Sequence, residues 1–349
     1  MKQFLILIII TSTILSCQKK KENETLSPGI IENKTFHSTV LIDGHDFDGT
    51  IIRNCIFEDI EGDGLQIRDV DNLCIEDCIF KNISEDAIRF RNSGTSNHVK
   101  ISRNEIYNIE QNGILAPENH INTVIDGNLI YQVATNNAGS QFGSPHHGIY
   151  FQGINVTITN NTIYDILNDQ GNCVSIRTYG TVAKNILYNA TDHGISYFSD
   201  HPGNGQPLLI ENNFIFDNGK RGINLTSNGI SENHIGSALV RFNTILSHTQ
   251  SPIGTNIDLE GVAINIIGNI LIRTDGASTY IFSPASFSES YNITASGDLD
   301  FIDFVGRNFH IKTSSSAVNA AIGANSFPAS DFDGQARTAS SLDVGADEI

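Results

Sequence analysis

The sequence predicts an all-β solenoid, one chain wound into stacked strands, and three observations carry that prediction. A strand pattern of the form polar-Gly-Ile-x-apolar-x recurs from Asp63 to Thr226, and a second unit, Asn followed by apolar residues and often Tyr or Phe, recurs from Asn54 to Asn269. Around both, apolar and polar residues alternate, as in Val156-Thr157-Ile158-Thr159, with no helical heptads between them. Variable spacing about a short period is what loop insertions in a solenoid produce. The 349 residues are therefore expected to form one elongated domain, and the net charge of -18 excludes nucleic-acid binding through the overall field. A polyanionic partner needs a local basic patch.

In chain order, residues 1–17 read as an export signal: Lys2, an apolar run from Phe4 to Ile10, then Ile14-Leu15-Ser16-Cys17. The run is too short to span a bilayer comfortably. Leu15-Ser16-Cys17 resembles a bacterial lipobox, which implies cleavage before Cys17 and lipidation of its thiol. Residues 18–36 read as a flexible tether whose charged stretch, Gln18 to Glu24, is similar to those of Bacteroidetes surface lipoproteins. The resemblance implies a lipid-anchored protein of the bacterial outer membrane, facing the periplasm or the cell surface, with no other membrane contact.

Residues 37–313 are assigned to the solenoid and residues 314–349 to a closing segment. The Asn-type positions are Asn54, Asp77, Asn104, Asn128, Asn161, Asn185, Asn213, Asn243 and Asn269. Asn tolerates the left-handed conformation needed between strands, and stacked amides bond to one another. The aromatic column Phe57, Phe80, Tyr107, Tyr131, Tyr164, Tyr188 and Phe216 is expected to stack as well. Cys55, Cys74, Cys78 and Cys173 lack zinc-ligand spacing. Cys55 and Cys78, at equivalent positions, are expected to stack half-buried, and the sequence leaves a disulfide open.

Across residues 41–273 this pattern resembles right-handed parallel β-helix proteins, the architecture of pectate lyases, alginate lyases and related polysaccharide-active enzymes. The resemblance implies a single-stranded right-handed parallel β-helix, with eight rung-to-rung steps giving a rod of roughly 38 Å. It does not imply activity. Asp331 to Arg337 and Asp343 to Glu348 resemble a closing segment of secreted β-helix proteins, whose carboxylates and arginine are expected to pin a final loop against the last rung. Calcium there is the sharper alternative; no cofactor or metal is otherwise expected.

Strand alternation places Gln66 and Arg68, Arg89 and Arg91, Leu115 and Pro117, Tyr150 and Gln152, Ser175 and Arg177, Ser196 and Phe198, and Asn224 and Thr226 on one outward face. The leading positions, Asp63, Asp86, Asn112, His147, Asn172, His193 and Arg221, are expected to join it. His147 and His193, two rungs apart, would lie roughly 10 Å from each other. Such a face suits an acidic sugar, and the chemistry inferred is β-elimination at a uronic acid. The carboxylate must be neutralised, the C5 proton removed and the O4 group protonated. Arg177 and Arg221 are the expected carboxylate fork, His147 or His193 the base and Tyr150 the acid. Arg89, Arg91, His146, Gln152, Asn172, Asp200, His201, Lys220 and Asn224 are assigned to substrate binding. The bland alternative for Arg89 and Arg91 is a charge ladder with Asp63 and Asp86.

Insertions at 134–145 and 199–207 flank the histidine rungs, where long loops build binding sites. Ser144-Pro145-His146-His147 is similar to the Asp-Pro-His stretch of β-helix mannuronan C5-epimerases, but Ser144 stands where that family has Asp. The catalytic Lys and calcium-binding acidic set of the alginate-lyase and chondroitinase group are not found, so a metal-independent enzyme is expected. Oligosaccharide dehydratases of ulvan degradation are a further relative, expelling water rather than a sugar. The reading is a carbon-oxygen lyase acting, as a monomer, on an algal uronate-containing oligo- or polysaccharide. Its rivals are a C5-epimerase, a non-catalytic glycan-binding lipoprotein and a glycoside hydrolase. The last needs two carboxylates, and the face offers Asp192, Asp200, Asp258 and Glu260.

Overall fold

The computed structural model describes residues 26–136, 145–255, 259 and 261–349. Cys17, the export signal, the start of the tether, the middle of the 134–145 insertion with Ser144, and both Asp258 and Glu260 lie outside the described residues. The chain winds through three parallel sheets in strict rotation. The first sheet has 11 strands from Ile30–Glu32 to Phe287–Ser290, the second 11 from Thr35–Phe36 to Ile293–Ala295, and the third 10 from Val40–Asp43 to Ile281–Phe282. Every neighbouring pair within these sheets is parallel and sequential, as in Tyr150 opposite Ser175 and Ser175 opposite Ser196. The ladder thus runs past Arg273, where the sequence pattern fades, to Ala295. No helix among the described residues is long and apolar enough to cross a membrane.

Alternation explains the interior. In the first sheet Ile52, Ile75, Ile101, Ile125, Ile158, Val182 and Ile210 oppose one another rung by rung, and all are buried. Stacked β-branched side chains fill a pleated surface well. The buried amide column runs Asn104, Asn128, Asn161, Asn185, Asn213, Asn243 and Asn269. Each amide oxygen accepts the backbone N–H of the residue one rung earlier, as Oδ1 of Asn185 does from Asn161 at 2.9 Å. The same Asn161 donates Nδ2 to Ile125 O at 2.9 Å.

Two register details differ from expectation. In the first two rungs the column is occupied by Cys55 and Cys78, not by Asn54 and Asp77: the Cys55 amide donates to Cys78 Sγ at 3.4 Å and the Cys78 amide to Asn104 Oδ1 at 3.0 Å. Both thiols are free and fully buried rather than half-buried. Asn54 and Asp77 hold the left-handed corner one residue earlier, the place taken later by Arg103, Gly127, Asn160 and Lys184. The aromatic column divides by the same one-residue slip, because shifting a strand by one residue sends its side chains to the other face. Phe36, Phe57 and Phe80 stack inside, while Tyr107, Tyr131, Tyr164, Tyr188 and Phe216 stack outside with ring planes within 6° of each other.

The closing segment does not cap the last rung. From the antiparallel pair Phe301–Asp303 and Asn308–Ile311 onward it folds back along the flank, because the outer positions there are Phe214, Phe242 and Ile270 and require cover. Arg337 is buried, ion-paired to Glu348 at 2.8 Å, donating to Gly345 O at 2.7 Å and lying 4.7 Å over the Phe242 ring. Asp331, Asp343, Asp347 and Glu348 accept backbone N–H groups from Gln335, Asn319, Ile311 and Asp343.

Candidate active site

The outer side of the third sheet carries two kinds of position. The leading residues from Asp63 to His193, expected to face outward, instead form a buried column in which each side chain accepts the next rung's amide. Asp63 Oδ1 accepts from Asp86, Asp86 Oδ1 from Asn112, Asn112 Oδ1 from His147, His147 Nδ1 from Asn172, Asn172 Oδ1 from His193 and His193 Nδ1 from Arg221, all at 2.8–3.1 Å. At this corner the amide has no strand partner, and a buried unpaired N–H is costly. The glycine that follows lets the next turn close in, since a Cβ on Gly148 would stand 2.6 Å from Cys173 O.

His147 is 1% and His193 6% exposed, and burial holds their imidazoles down to about 3 and about 4. With Nδ1 accepting a backbone hydrogen bond, the neutral ring carries its hydrogen on Nε2. His147 Nε2 is buried without a partner among the described residues. His193 Nε2 lies 3.5 Å from Asp192, which is ion-paired to Lys220 at 2.7 Å. Neither histidine therefore presents a free lone pair, and the expected role of either as base does not fit this geometry.

The next position along holds the strongest constellation. Tyr150 and Arg177 sit on consecutive rungs, with the guanidinium 5.0 Å over the Tyr150 ring and 5.1 Å over Phe198. Gln152 Nε2 donates to Tyr150 Oη at 2.8 Å, leaving the phenol its own proton to donate. Burial raises the Tyr150 phenol, so it stays protonated at neutral pH. The His147 ring stands at 78° to Tyr150, centroids 5.1 Å apart.

The 199–207 insertion bends over this pair. Asp200 accepts from Arg177 Nη1 at 3.1 Å and from His201 Nδ1 at 2.6 Å, and His201 Nε2 lies 3.7 Å from Glu118. A carboxylate that takes Nδ1–H fixes the tautomer with Nε2 as acceptor. His201 is thus the oriented imidazole of the face. Sequence reasoning filed Asp200 and His201 under binding and missed Glu118; an Asp-His pair closing a strand was the available signal.

The remaining expectations divide. Arg221 does not meet Arg177 to form a fork: its Nε donates to Ser251 at 3.3 Å and its guanidinium lies 5.5 Å over Phe282, two rungs onward. Ser175 and Pro117, expected outward, are buried under their neighbours, and Asn172 is consumed in the column. Arg89 pairs with Asp86 at 3.4 Å and Asp63 at 3.8 Å, the charge-ladder alternative, whereas Arg91 does not. His146 Nδ1 lies 3.5 Å from Asn112, its imidazole pushed down by burial, and Asn224 is half-buried on the face. Groups with metal-ligand geometry among the described residues are His45, Asp48 and Asp71, and His310, Asp333 and Asp347, none on this face.

The sequence matches the family described as right handed beta helix region over residues 38–165 and 93–269. No curated protein matches it. Among solved structures it is similar to XylC with xylose, at 12% identity and TM-score 0.53 over 85% of this chain and 66% of that one. It is also similar to the A-module of the mannuronan C-5 epimerase AlgE4 of Azotobacter vinelandii, at 13% and 0.48 over 77% and 87%. Pectate lyase Pel9A follows at 12% and 0.47 over 92% and 86%. The chain thus spans just under two thirds of XylC's length, and at such identities the likeness speaks for the fold alone.

Proposed function

Since the chain belongs to the right-handed β-helix family, we propose that on this scaffold it is a carbon-oxygen lyase performing β-elimination on a uronate-containing oligo- or polysaccharide. The observation that carries the reading is the Tyr150–Arg177–Asp200–His201 cluster, in which an acid, a cation and an Asp-oriented imidazole meet on one outward face.

The substrate carboxylate lies against Arg177, and the shift of the covering side chains on binding opens the enclosed, unpartnered Nε2–H of His147 to it. A neutral imidazole held as a hydrogen-bond donor stabilises the charge that grows on that carboxylate as C5 loses its proton. His201 Nε2 takes the proton, the C5–H electron pair forms the C4=C5 bond, and the C4–O4 bond breaks as Tyr150 gives O4 its proton. His147 is thereby a carboxylate ligand rather than a base, and His193, paired with Asp192, a framework residue. The leaving group is a sugar in the lyase version and water in the dehydratase version.

Incubation with ulvan, alginate and glucuronan oligosaccharides tests this by the absorbance of unsaturated uronate, with mass spectrometry separating chain cleavage from loss of water. No unsaturated product across the panel would sink the elimination. Glycoside hydrolysis is the second reading, favoured by Glu118 and Asp200 on either side of His201; new reducing ends without unsaturation would establish it. We further propose that Cys17 is lipidated and anchors the enzyme to the outer membrane, which a Cys17→Ala variant released into the soluble fraction would bear out and an unchanged membrane fraction would refute.

A further inference from the structure

Nine of the eleven arginines in the sequence sit in carboxylate ion pairs: Arg53, Arg68, Arg89, Arg103, Arg177, Arg241, Arg273, Arg307 and Arg337. The two without one among the described residues are Arg91 and Arg221, and each lines a cavity beside the third sheet. Arg91 shares about 290 Å³ with Arg89, Asn92 and Ser93. Arg221 shares about 280 Å³ with Ser251, Arg273, Thr279 and Phe282.

The second cavity is built rather than incidental. Arg273 is held on both oxygens of Asp275, by Nε at 2.7 Å and Nη2 at 2.8 Å, so its charge is answered inside the protein. Arg221 is anchored only through Nε, to Ser251 at 3.3 Å, which leaves its two terminal nitrogens for a ligand. Phe282 beneath it is 49% exposed, an apolar floor of the kind a sugar ring stacks on. Arg221 is half-buried with no ion pair of its own, the nearby Asp192 being paired to Lys220, and an incoming anion offsets the cost of that burial.

The two cavities flank the Tyr150–Arg177 cluster. From the Ile88–Phe90 strand to the Ile223–Ser227 strand there are five rung steps along the third sheet, a rise of about 24 Å. We infer that Arg91 and Arg221 are anion subsites for two acidic groups of one glycan chain lying along the solenoid axis, with Arg177 holding a third between them. This rests on the proposed glycan reading and sharpens it: the ligand is a polyanion of several sugars gripped on both sides of the reacting bond, and the site acts within a chain rather than at its end.

Calorimetric titration with oligoglucuronates of two and eight sugars, and with the carboxyl-reduced octamer, tests the inference. Arg91→Ala/Arg221→Ala should weaken the octamer at least tenfold and leave the dimer unchanged, Arg177→Ala should weaken both, and the reduced octamer should bind poorly to every form. Equal effects on dimer and octamer, or none on either, would overturn it. Circular dichroism checks the fold, and Arg91→Lys/Arg221→Lys, which keeps the charge, should recover part of the octamer affinity; no recovery would count against an electrostatic role. Length-dependent binding without unsaturated product would remove the elimination and leave these subsites standing; product formation with length-independent binding would do the reverse.

Discussion

The backbone amide of Asn172 donates to Nδ1 of His147 at 3.1 Å, and this one bond sets what the histidine can do. The lone pair is spent inside the protein, the hydrogen goes to Nε2, and the ring becomes a donor. Asn112 and Asn172 do the same structural work in the same column with an amide oxygen.

His147→Asn therefore preserves the acceptor while removing the unpartnered Nε2–H. Turnover should fall on the order of 100-fold, the typical loss when one charge-stabilising donor is removed. The thermal melt should shift little. A collapse of the fold instead would mean that the ring matters for packing rather than for the substrate.

Asp200→Asn replaces the acceptor-only carboxylate that fixes the His201 tautomer with an amide that can donate to Nδ1 instead, and leaves Arg177 without its counter-charge. kcat should drop by roughly 1,000-fold or more, as for orienting carboxylates generally. Equal kcat values for the variant and the parent would exclude His201 as the base.

Acid should weaken the fold through His193. Its folded value of about 4 lies below the usual value of about 6.5, so the unfolded chain takes up the proton first. Stability is full above about pH 6.5 and is lost as pH falls toward about pH 4. From about pH 7.5 to about pH 5 the loss is about 2 kcal/mol for this group. His193→Asn, with an amide in the column, should flatten the pH dependence of the urea midpoint by that amount; an unaltered slope would show that other groups carry it.

In the amide column, Asn161→Ala leaves the Ile125 carbonyl and the Asn128 amide without partners. At about 1–3 kcal/mol per buried orphan, the loss should be about 3–5 kcal/mol by urea unfolding. Cys78→Asn should act in the other direction, by about 1 kcal/mol, because it gives the Cys55 amide an oxygen in place of a 3.4 Å sulfur contact.

Arg337→Met removes a fully enclosed guanidinium and abandons Glu348. A cost of about 3–5 kcal/mol follows, and limited proteolysis should begin within residues 299–349 while the parallel rungs stay intact. Resistance equal to the parent's would show that the apolar contacts alone hold this segment.

Much of the fold was legible because period-two alternation and the Asn and Gly-Ile repeats report a backbone geometry that every rung shares. Tyr150, Ser175, Ser196 and Asn224 stand opposite one another as aligned. The off-by-one assignments of Asn54 and Asp77 came from letting an Asn signal outrank Cys55 and Cys78, small residues that fill the same buried place. The leading column was misread as outward because alternation describes strands, whereas His147 and His193 stand just before them, where the chain turns and an amide must be satisfied. The Asp200–His201 arrangement depends on how an irregular loop folds over a strand two rungs away in space, and no period encodes that. The same holds for Arg221, whose direction is set by Ser251 and Phe282.

The returning C-terminal segment also sets a timetable. Arg337 reaches Asn212 across 125 residues of sequence, and Ala346 reaches Thr244 across 102. Rungs before these can close one after another as the chain emerges, each needing only its predecessor. The Phe214, Phe242 and Ile270 flank stays bare until the last residues arrive, so the C-terminal third of the rod matures last and is the stretch most open to aggregation in an unfinished chain.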